Sequence, residues 1–390
     1  MRQALRSTIA TLTLVALTAS AKPPGDLQKL RDYFAGSGDS EALRRDLTRR
    51  LTVKQVLRLL LHVEPHEPRK GGLLRFETPE GAYVVVPPNG YTPRKAWPLH
   101  IALHGHGPGQ TGQAACQSFW RGEPAKAGVI LACPDLRAKW QTPHAEALLL
   151  ATYRDVQQRF NVRTDQVSLG GFSGGGIGTW IYGPRYPDLF GALVPRAGIP
   201  PSADELVENL NGLPIFVVHG TNDGTIPVSN SRRVVKKLQE LGIQHVYRER
   251  PGGHEFFSDL NTEVVRWLKG KRRPLRAEFR YFGPIGGAPR IIHWLQLEGS
   301  GTVTVTAKLE RRGRATIRLD HPERVKKLTV HLMRSRFDMG RRHIDVVVNG
   351  KAFGFSVRES VDAVLRSYGI TRDLRRVFTA SVTIDGSRLP

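Results

Sequence analysis

Gln166-Val-Ser-Leu-Gly-Gly-Phe-Ser-Gly-Gly-Gly-Ile-Gly-Thr-Trp180 is the stretch on which the reading of this chain turns. Gln166 to Leu169 reads as a short strand. The chain then turns through Gly171-Phe-Ser-Gly-Gly175 and enters an apolar, helix-compatible segment, Ile177 to Ile181. This is G-x-S-x-G between a strand and a helix, the setting in which a serine sits on a strained turn with its Oγ exposed above a sheet. Bulk at Gly171 or Gly175 would meet neighbouring backbone, and glycine tolerates the dihedrals of a tight turn. With 40 Gly in 390 residues the motif alone is weak, so its context has to carry the reading.

That context lies downstream. Pro214-Ile-Phe-Val-Val-His-Gly220 is an unbroken apolar run, the pattern of a strand buried on both faces. It ends in Thr221-Asn-Asp-Gly-Thr-Ile-Pro-Val228, which puts Asp223 in the loop at the strand's carboxyl end. His245-Val-Tyr-Arg248 reads as the next strand, followed by Gly252-Gly-His-Glu-Phe-Phe257. A serine hydroxyl is a poor nucleophile unless a base takes its proton, and that base needs an orienting group. His254 is placed to be the base and Asp223 to hold it. Asp204 and Asp259 are rivals for the acid but do not stand at strand ends. The order Ser173, Asp223, His254 is that of a hydrolase triad.

Four segments match family motifs: Leu103-His-Gly-His-Gly107, Gly171-Phe-Ser-Gly-Gly175, His219-Gly-Thr-Asn-Asp223 and Gly253-His254. On these, residues from about 72 to 270 resemble the α/β-hydrolase superfamily. The similar branches are secreted polyhydroxyalkanoate-depolymerase-like and feruloyl-esterase-like enzymes and prolyl-oligopeptidase-like (dienelactone-hydrolase-like) hydrolases. The resemblance covers about half the chain and neither flank. It implies a mostly parallel sheet flanked by helices, with catalytic Ser173, Asp223 and His254. It implies an oxyanion hole from the backbone N–H groups of Gly174 and His106. The His-Gly-His-Gly form departs from the H-G-G-G of lipases and leaves Gly107 as another donor. His104, His106, His219 and His254 fit none of the usual zinc spacings, and glycines 171 to 178 lack the lysine of a phosphate loop. No metal or cofactor is therefore expected. The activity implied is hydrolysis of carboxylic esters through an acyl-enzyme. A serine peptidase is the alternative, and a non-catalytic surface- or carbohydrate-binding protein on a hydrolase scaffold is the alternative of another class.

The flanks read differently. Arg2 and Arg6, the apolar run Ile9 to Leu17 and Ala19-Ser20-Ala21 have the pattern of a cleavable signal peptide over 1–21. The location expected is secreted or periplasmic, with no transmembrane segment. Residues 22–70 are expected to be a helical segment, amphipathic from 26 to 66, packed as a small cap on the hydrolase or lying on a membrane surface. Residues 71–270 form the catalytic domain, and Lys271-Arg-Arg-Pro274 a linker. From 275 to 390 the pattern changes to period two, as in Thr302 to Leu309, with Asn349-Gly350 turning a hairpin. That part reads as a β-rich, sandwich-like accessory domain. Cys116 and Cys133 could pair or remain buried thiols.

Lys plus Arg are 58 and Asp plus Glu 35, a net charge of +23. Residues 271–390 hold 25 basic and 11 acidic side chains, so 25 − 11 = +14 of it lies there. No nucleic-acid motif accompanies the charge. A contact with an anionic polysaccharide or cell surface is the partner expected, through arginines around Arg311, Arg334 and Arg341, with an ester as substrate.

Overall fold

The computed structural model describes residues 25–201 and 204–390. The signal-peptide pattern of residues 1–21 lies outside them. Among the described residues no helix is long and apolar enough to cross a membrane.

The chain begins with α1 (Gly25–Ala35), α2 (Ser40–Arg50) and α3 (Val53–Leu60). Asp39 caps α2 by accepting from the N–H groups of Glu41 and Ala42, and Thr52 and Gln55 form a reciprocal capping box on α3. These local signals place the helix starts. They do not reveal what the helices pack against.

An eight-stranded sheet follows: β1 (Leu74–Thr78), β2 (Gly81–Val86), β3 (Trp97–Leu103), β4 (Ile130–Pro134), β5 (Val162–Phe172), β6 (Ala192–Arg196), β7 (Ile215–Gly220) and β8 (His245–Arg250). Its order is β1-β2-β4-β3-β5-β6-β7-β8, and from β4 to β8 every neighbouring pair is parallel. The helices between strands are α4 (Gly112–Ala114), α5 (Glu123–Lys126), α6 (Pro143–Arg159), α7 (Gly174–Arg185), α8 (Asp204–Glu208) and α9 (Ser229–Glu240), with α10 (Asn261–Leu268) after β8. Two apolar clusters cover the sheet. One joins Leu99, Ile101 and Leu169 to Leu148, Trp180 and Val234. The other joins Ala102, Phe172 and Val194 to Trp120, Phe256 and Val264. The strand expected from Gln166 begins earlier: β5 reaches back to Val162. Cys116, in a π-helical turn, and Cys133, on β4, are joined in a disulfide.

The rest forms two facing sheets. One has the order β10-β11-β14-β17, from β10 (Ile291–Ile292), β11 (Leu295–Gly299), β14 (Val325–Leu332) and β17 (Ala380–Asp385). The other runs β16-β15-β13-β12-β9, from β9 (Glu278–Pro284), β12 (Thr302–Glu310), β13 (Arg314–Leu319), β15 (His343–Val348) and β16 (Lys351–Ser356). Val303, Val305 and Ala307 alternate inward on β12 and share a core with Leu328, Val330 and Leu332 of β14. The hairpin between β15 and β16 turns at Asn349 (φ 45°) and Gly350 (φ 91°), the two positive dihedrals a tight two-residue turn needs.

One helix of this region, α11 (Val361–Thr371), corrects the expected cap. Leu30, Leu47, Val56 and Leu60 of the N-terminal helices cluster with its Val361, Val364, Leu365 and Tyr368. The N-terminal segment therefore buries its apolar face on the C-terminal region instead of capping the hydrolase. The stretch 271–274 is pinned as well. Arg273 is buried, pairs with Asp373 at 2.6 Å, and its N–H donates to the Asp165 carbonyl at 2.7 Å. A second buried pair, Arg376 with Asp188 at 2.9 Å, crosses the same junction.

Candidate active site

Ser173 stands where β5 passes into α7, with φ 55° and ψ −116°. A non-glycine residue holds such a backbone only when its surroundings enforce it. Its N–H donates to the Arg196 carbonyl at 3.0 Å, and its own carbonyl accepts from Ile177 at 2.9 Å. The flanking glycines are required by contact. A Cβ on Gly171 would lie 2.3 Å from the Gly175 carbonyl oxygen, and one on Gly175 2.1 Å from that of Leu103.

Asp223 follows β7, and His254 follows β8. A close backbone approach brings their loops together: a Cβ on Gly220 would lie 2.1 Å from the Gly253 carbonyl oxygen. Asn222 N–H donates to the Gly252 carbonyl at 2.9 Å. His254 Nδ1 lies 2.7 Å from Asp223 Oδ2, and its Nε2 lies 2.8 Å from Ser173 Oγ. A carboxylate accepts only, so Nδ1 carries the proton and Nε2 is free to accept from the hydroxyl. The imidazole lies against the Phe172 ring, centroids 4.9 Å apart.

The Asp223 carboxyl is fully covered. Burial alone would raise its pKa. The Ile226 N–H, His254 and the Thr225 N–H outweigh that and hold it below the usual value. Asp223 Oδ1 accepts from Thr225 and Ile226 at 2.9 and 2.8 Å. Of the rival acids, Asp259 is spent on Arg250 at 2.9 Å, and the Asp204 side chain lies outside the described residues.

The expected oxyanion donors flank the serine. A Cβ on Gly105, the residue before His106, would lie 3.4 Å from Ser173 Cβ, and Gly174 opens α7. The His106 ring covers Gly174, whose added Cβ would lie 2.4 Å from His106 Nδ1. Burial, then His104 and Lys139, lower the pKa of His106. His104 is structural: its Nδ1 meets the Gly105 carbonyl at 2.6 Å and its Nε2 accepts from Leu136 N–H at 3.0 Å.

Two side chains take structural roles here that residue spacing does not reveal, although His219 is one of the histidines weighed as zinc ligands. His219, fully buried on β7, lies 3.3 Å from Asp223 Oδ2 and bonds the Ile226 carbonyl and Ser231 Oγ at 2.8 and 2.7 Å. Arg196 ends β6 with 1% exposure. Its guanidinium packs on Trp120 and Phe256 and donates to the Phe256 carbonyl, the Phe257 carbonyl and Asn261 Oδ1. Among the described residues no carboxylate pairs with it. Burial pushes its pKa down to about 9. An arginine reads as surface charge in a sequence, and only the apolar run Gly191-Ala-Leu-Val-Pro195 before it hints otherwise.

A mostly parallel sheet covered on both faces, with a serine on a strand-to-helix turn and an acid and histidine after later strands, defines the α/β-hydrolase fold. Residues 142–268 match a family model described as phospholipase/carboxylesterase. The fold is therefore that of an α/β-hydrolase, and within it residues 142–268 are similar to that family. An uncharacterized secreted protein of Arthroderma benhamiae is 30% identical over 122 residues, which is 24% of this chain and 13% of that relative. Among solved structures, a thermostable esterase shares 25% identity over 52% of this chain and 63% of its own, with a TM-score of 0.44. Est1E of Butyrivibrio proteoclasticus shares 16% over 51% and 98%, TM-score 0.42. Dipeptidyl peptidase 4 of Porphyromonas gingivalis shares 15% over 55% and 37%, TM-score 0.43.

Proposed function

We propose that the protein is an exported carboxylic ester hydrolase that works through Ser173, His254 and Asp223. The observation that carries this is the continuous hydrogen-bonded chain from Ser173 Oγ through His254 to Asp223, at 2.8 and 2.7 Å, on a serine held at φ 55°. His254 Nε2 takes the Ser173 proton as Oγ attacks the ester carbonyl carbon. The N–H groups of Gly174 and His106 receive the oxyanion, an interaction typically worth ~10²–10³ in rate per donor. Collapse of the tetrahedral intermediate breaks the bond to the alcohol, which leaves with the proton from His254. Water, deprotonated by His254, then attacks the acyl-Ser173 ester and releases the acid. Asp223 keeps the proton on Nδ1 and stabilises the imidazolium throughout.

Export is supported by the Cys116–Cys133 disulfide, since such bonds persist in oxidising compartments, and by the secreted label of the Arthroderma relative. Binding to an anionic polymer is supported by Arg311, Arg312, Arg334 and Arg341, which outnumber Asp338 and Glu359 in the lining of an open pocket of about 660 Å³.

The test is covalent labelling by a fluorophosphonate probe with turnover of p-nitrophenyl acetate. Wild type should label and turn over. Ser173→Ala should do neither, and Asp223→Asn should lose about 10⁴-fold in kcat by favouring the wrong tautomer. Ser173→Ala retaining more than about 1% of turnover would point to another nucleophile, since losing a catalytic serine costs orders of magnitude more.

A further inference from the structure

Along α7, starting one helical turn from Ser173, lies an apolar pocket of about 370 Å³ that the mechanism above does not use. Its walls come from both parts of the chain: Ile177 and Ile181 of α7, Ile199 and Pro200 after β6, and Phe282 and Pro284 of β9. It begins one helical turn from the nucleophile, since the Ile177 N–H donates to the Ser173 carbonyl. Side chains on a helix lean toward its N-terminus, so Ile177 projects toward Ser173. The pocket runs on to Arg185, a span on the order of 12 Å at 1.5 Å per residue. Arg185 brings no unmet charge, because Glu146 lies 2.6 Å away. Ile199 is 45% exposed, one of three large apolar side chains left open to solvent among the described residues.

The wall from β9 is fixed. The buried Asn209 side chain bonds both main-chain groups of Phe282, at 2.7 and 2.8 Å, and also the Pro184 carbonyl in α7 at 3.1 Å. Arg280 pairs with Glu208 of α8 at 2.9 Å. The strand that lines the pocket is thus tied to the helix that carries the nucleophile.

We infer that this pocket takes the acyl chain of the ester, and that the C-terminal region thereby sets a preference for unbranched, apolar acyl groups of medium length. The inference rests on the hydrolase reading above. The acyl side is indicated by geometry. His254, which protonates the leaving alcohol, lies on Phe172, and Phe172 packs with Phe119 and Phe256 on the sheet face opposite α7.

The experiment is a chain-length series of p-nitrophenyl esters, acetate to octanoate, on the full chain, with fluorophosphonate labelling in parallel. Each methylene buried should raise kcat/KM about fourfold, giving on the order of a 100-fold advantage of hexanoate over acetate before a plateau. Ile199→Trp fills the mouth, and Phe282→Ala removes one wall while keeping the backbone bonds to Asn209. Each should lower the hexanoate-to-acetate ratio about tenfold or more, in protein that still melts cooperatively. A flat series in labelled, active wild type overturns the pocket alone. So does an unchanged ratio in a folded variant. Absence of both labelling and acetate turnover overturns the hydrolase reading and this inference together.

Discussion

Arg196 holds Phe256 by its main chain: a guanidinium nitrogen donates to the Phe256 carbonyl at 2.7 Å, two residues beyond His254. The carbonyl of the same arginine accepts the Ser173 N–H at 3.0 Å. One residue thus braces the turn that carries the nucleophile and the loop that carries the histidine.

The expected consequence is separable from folding. Arg196→Met removes a costly buried charge but strands the Phe256 and Phe257 carbonyls and Asn261 Oδ1, so the two effects oppose and Tm should move by only a few degrees. The His254 loop would lose its brace, and a shift of about 1 Å at a catalytic group can cost ~10²-fold. We expect kcat to fall ~10–100-fold with KM within about threefold, and Arg196→Lys to recover part of the loss. Steady-state kinetics beside thermal melts check this. Full activity in a destabilised Arg196→Met protein would make the residue merely structural.

The junction between the two parts of the chain predicts acid sensitivity. Burial would raise the Asp188 and Asp373 carboxyls. Arg376 and Arg290 beside Asp188, and Arg273 and Arg376 beside Asp373, hold both below the usual value. Their folded values are depressed, so the unfolded chain binds more protons. The stability they give is complete above the unfolded value near ~4 and is lost as pH falls through the lower, folded values. Tm should fall gently as pH drops below about 6.5, because His100, His293 and His331 are held neutral by burial, and more steeply below about 4, where these carboxyls take up protons. Asp188→Asn should cost about 3–5 kcal/mol at neutral pH by stranding Arg376, and should make the acid drop shallower. An equally steep acid drop in Asp188→Asn would exclude this pair as its source.

The arginine-lined pocket predicts salt-dependent retention on heparin resin. Arg334 is engaged by Glu359 at 2.8 and 2.5 Å, which leaves Arg311, Arg312 and Arg341 as the more available cations. Replacing those three by Ser should lower the salt needed for elution, because exposed charges are screened beyond a Debye length of ~8–10 Å. Elution at an unchanged salt concentration would show that charge elsewhere on this basic chain does the binding.

Much of this was legible in the sequence, for a physical reason. Strands buried on both faces must be continuous apolar runs, and loops at their carboxyl ends are where a sheet exposes chemistry. Ser173, Asp223 and His254 could therefore be picked as residues that would meet. What stayed illegible depends on partners distant in the chain. Arg196 and His219 are buried polar groups whose character is set by what surrounds them. Residues 278–299 carry β9, β10 and β11, strands that the sequence does not single out within the β-rich region because their pairing with β12 and β14 supplies the order. The parallel pairing of β13 with β15 follows no hairpin rule that a sequence displays. The acyl pocket needs a wall about 100 residues from Ser173, between parts that Asn209 joins locally through its bonds to Phe282.

The union of α1–α3 with α11 also sets a clock on biosynthesis. Glu64 and Arg372 meet at 3.1 Å across 308 positions of chain. At 5–20 residues per second, roughly 15–60 s separate the emergence of the two from a ribosome. Through that interval Leu30, Leu47, Val56 and Leu60 have no α11 to cover them. Helices α1–α3 thus dock late, and their apolar face must be kept from premature association until α11 has emerged. A chain cleaved before Val361 would display that apolar face to protease and chaperone.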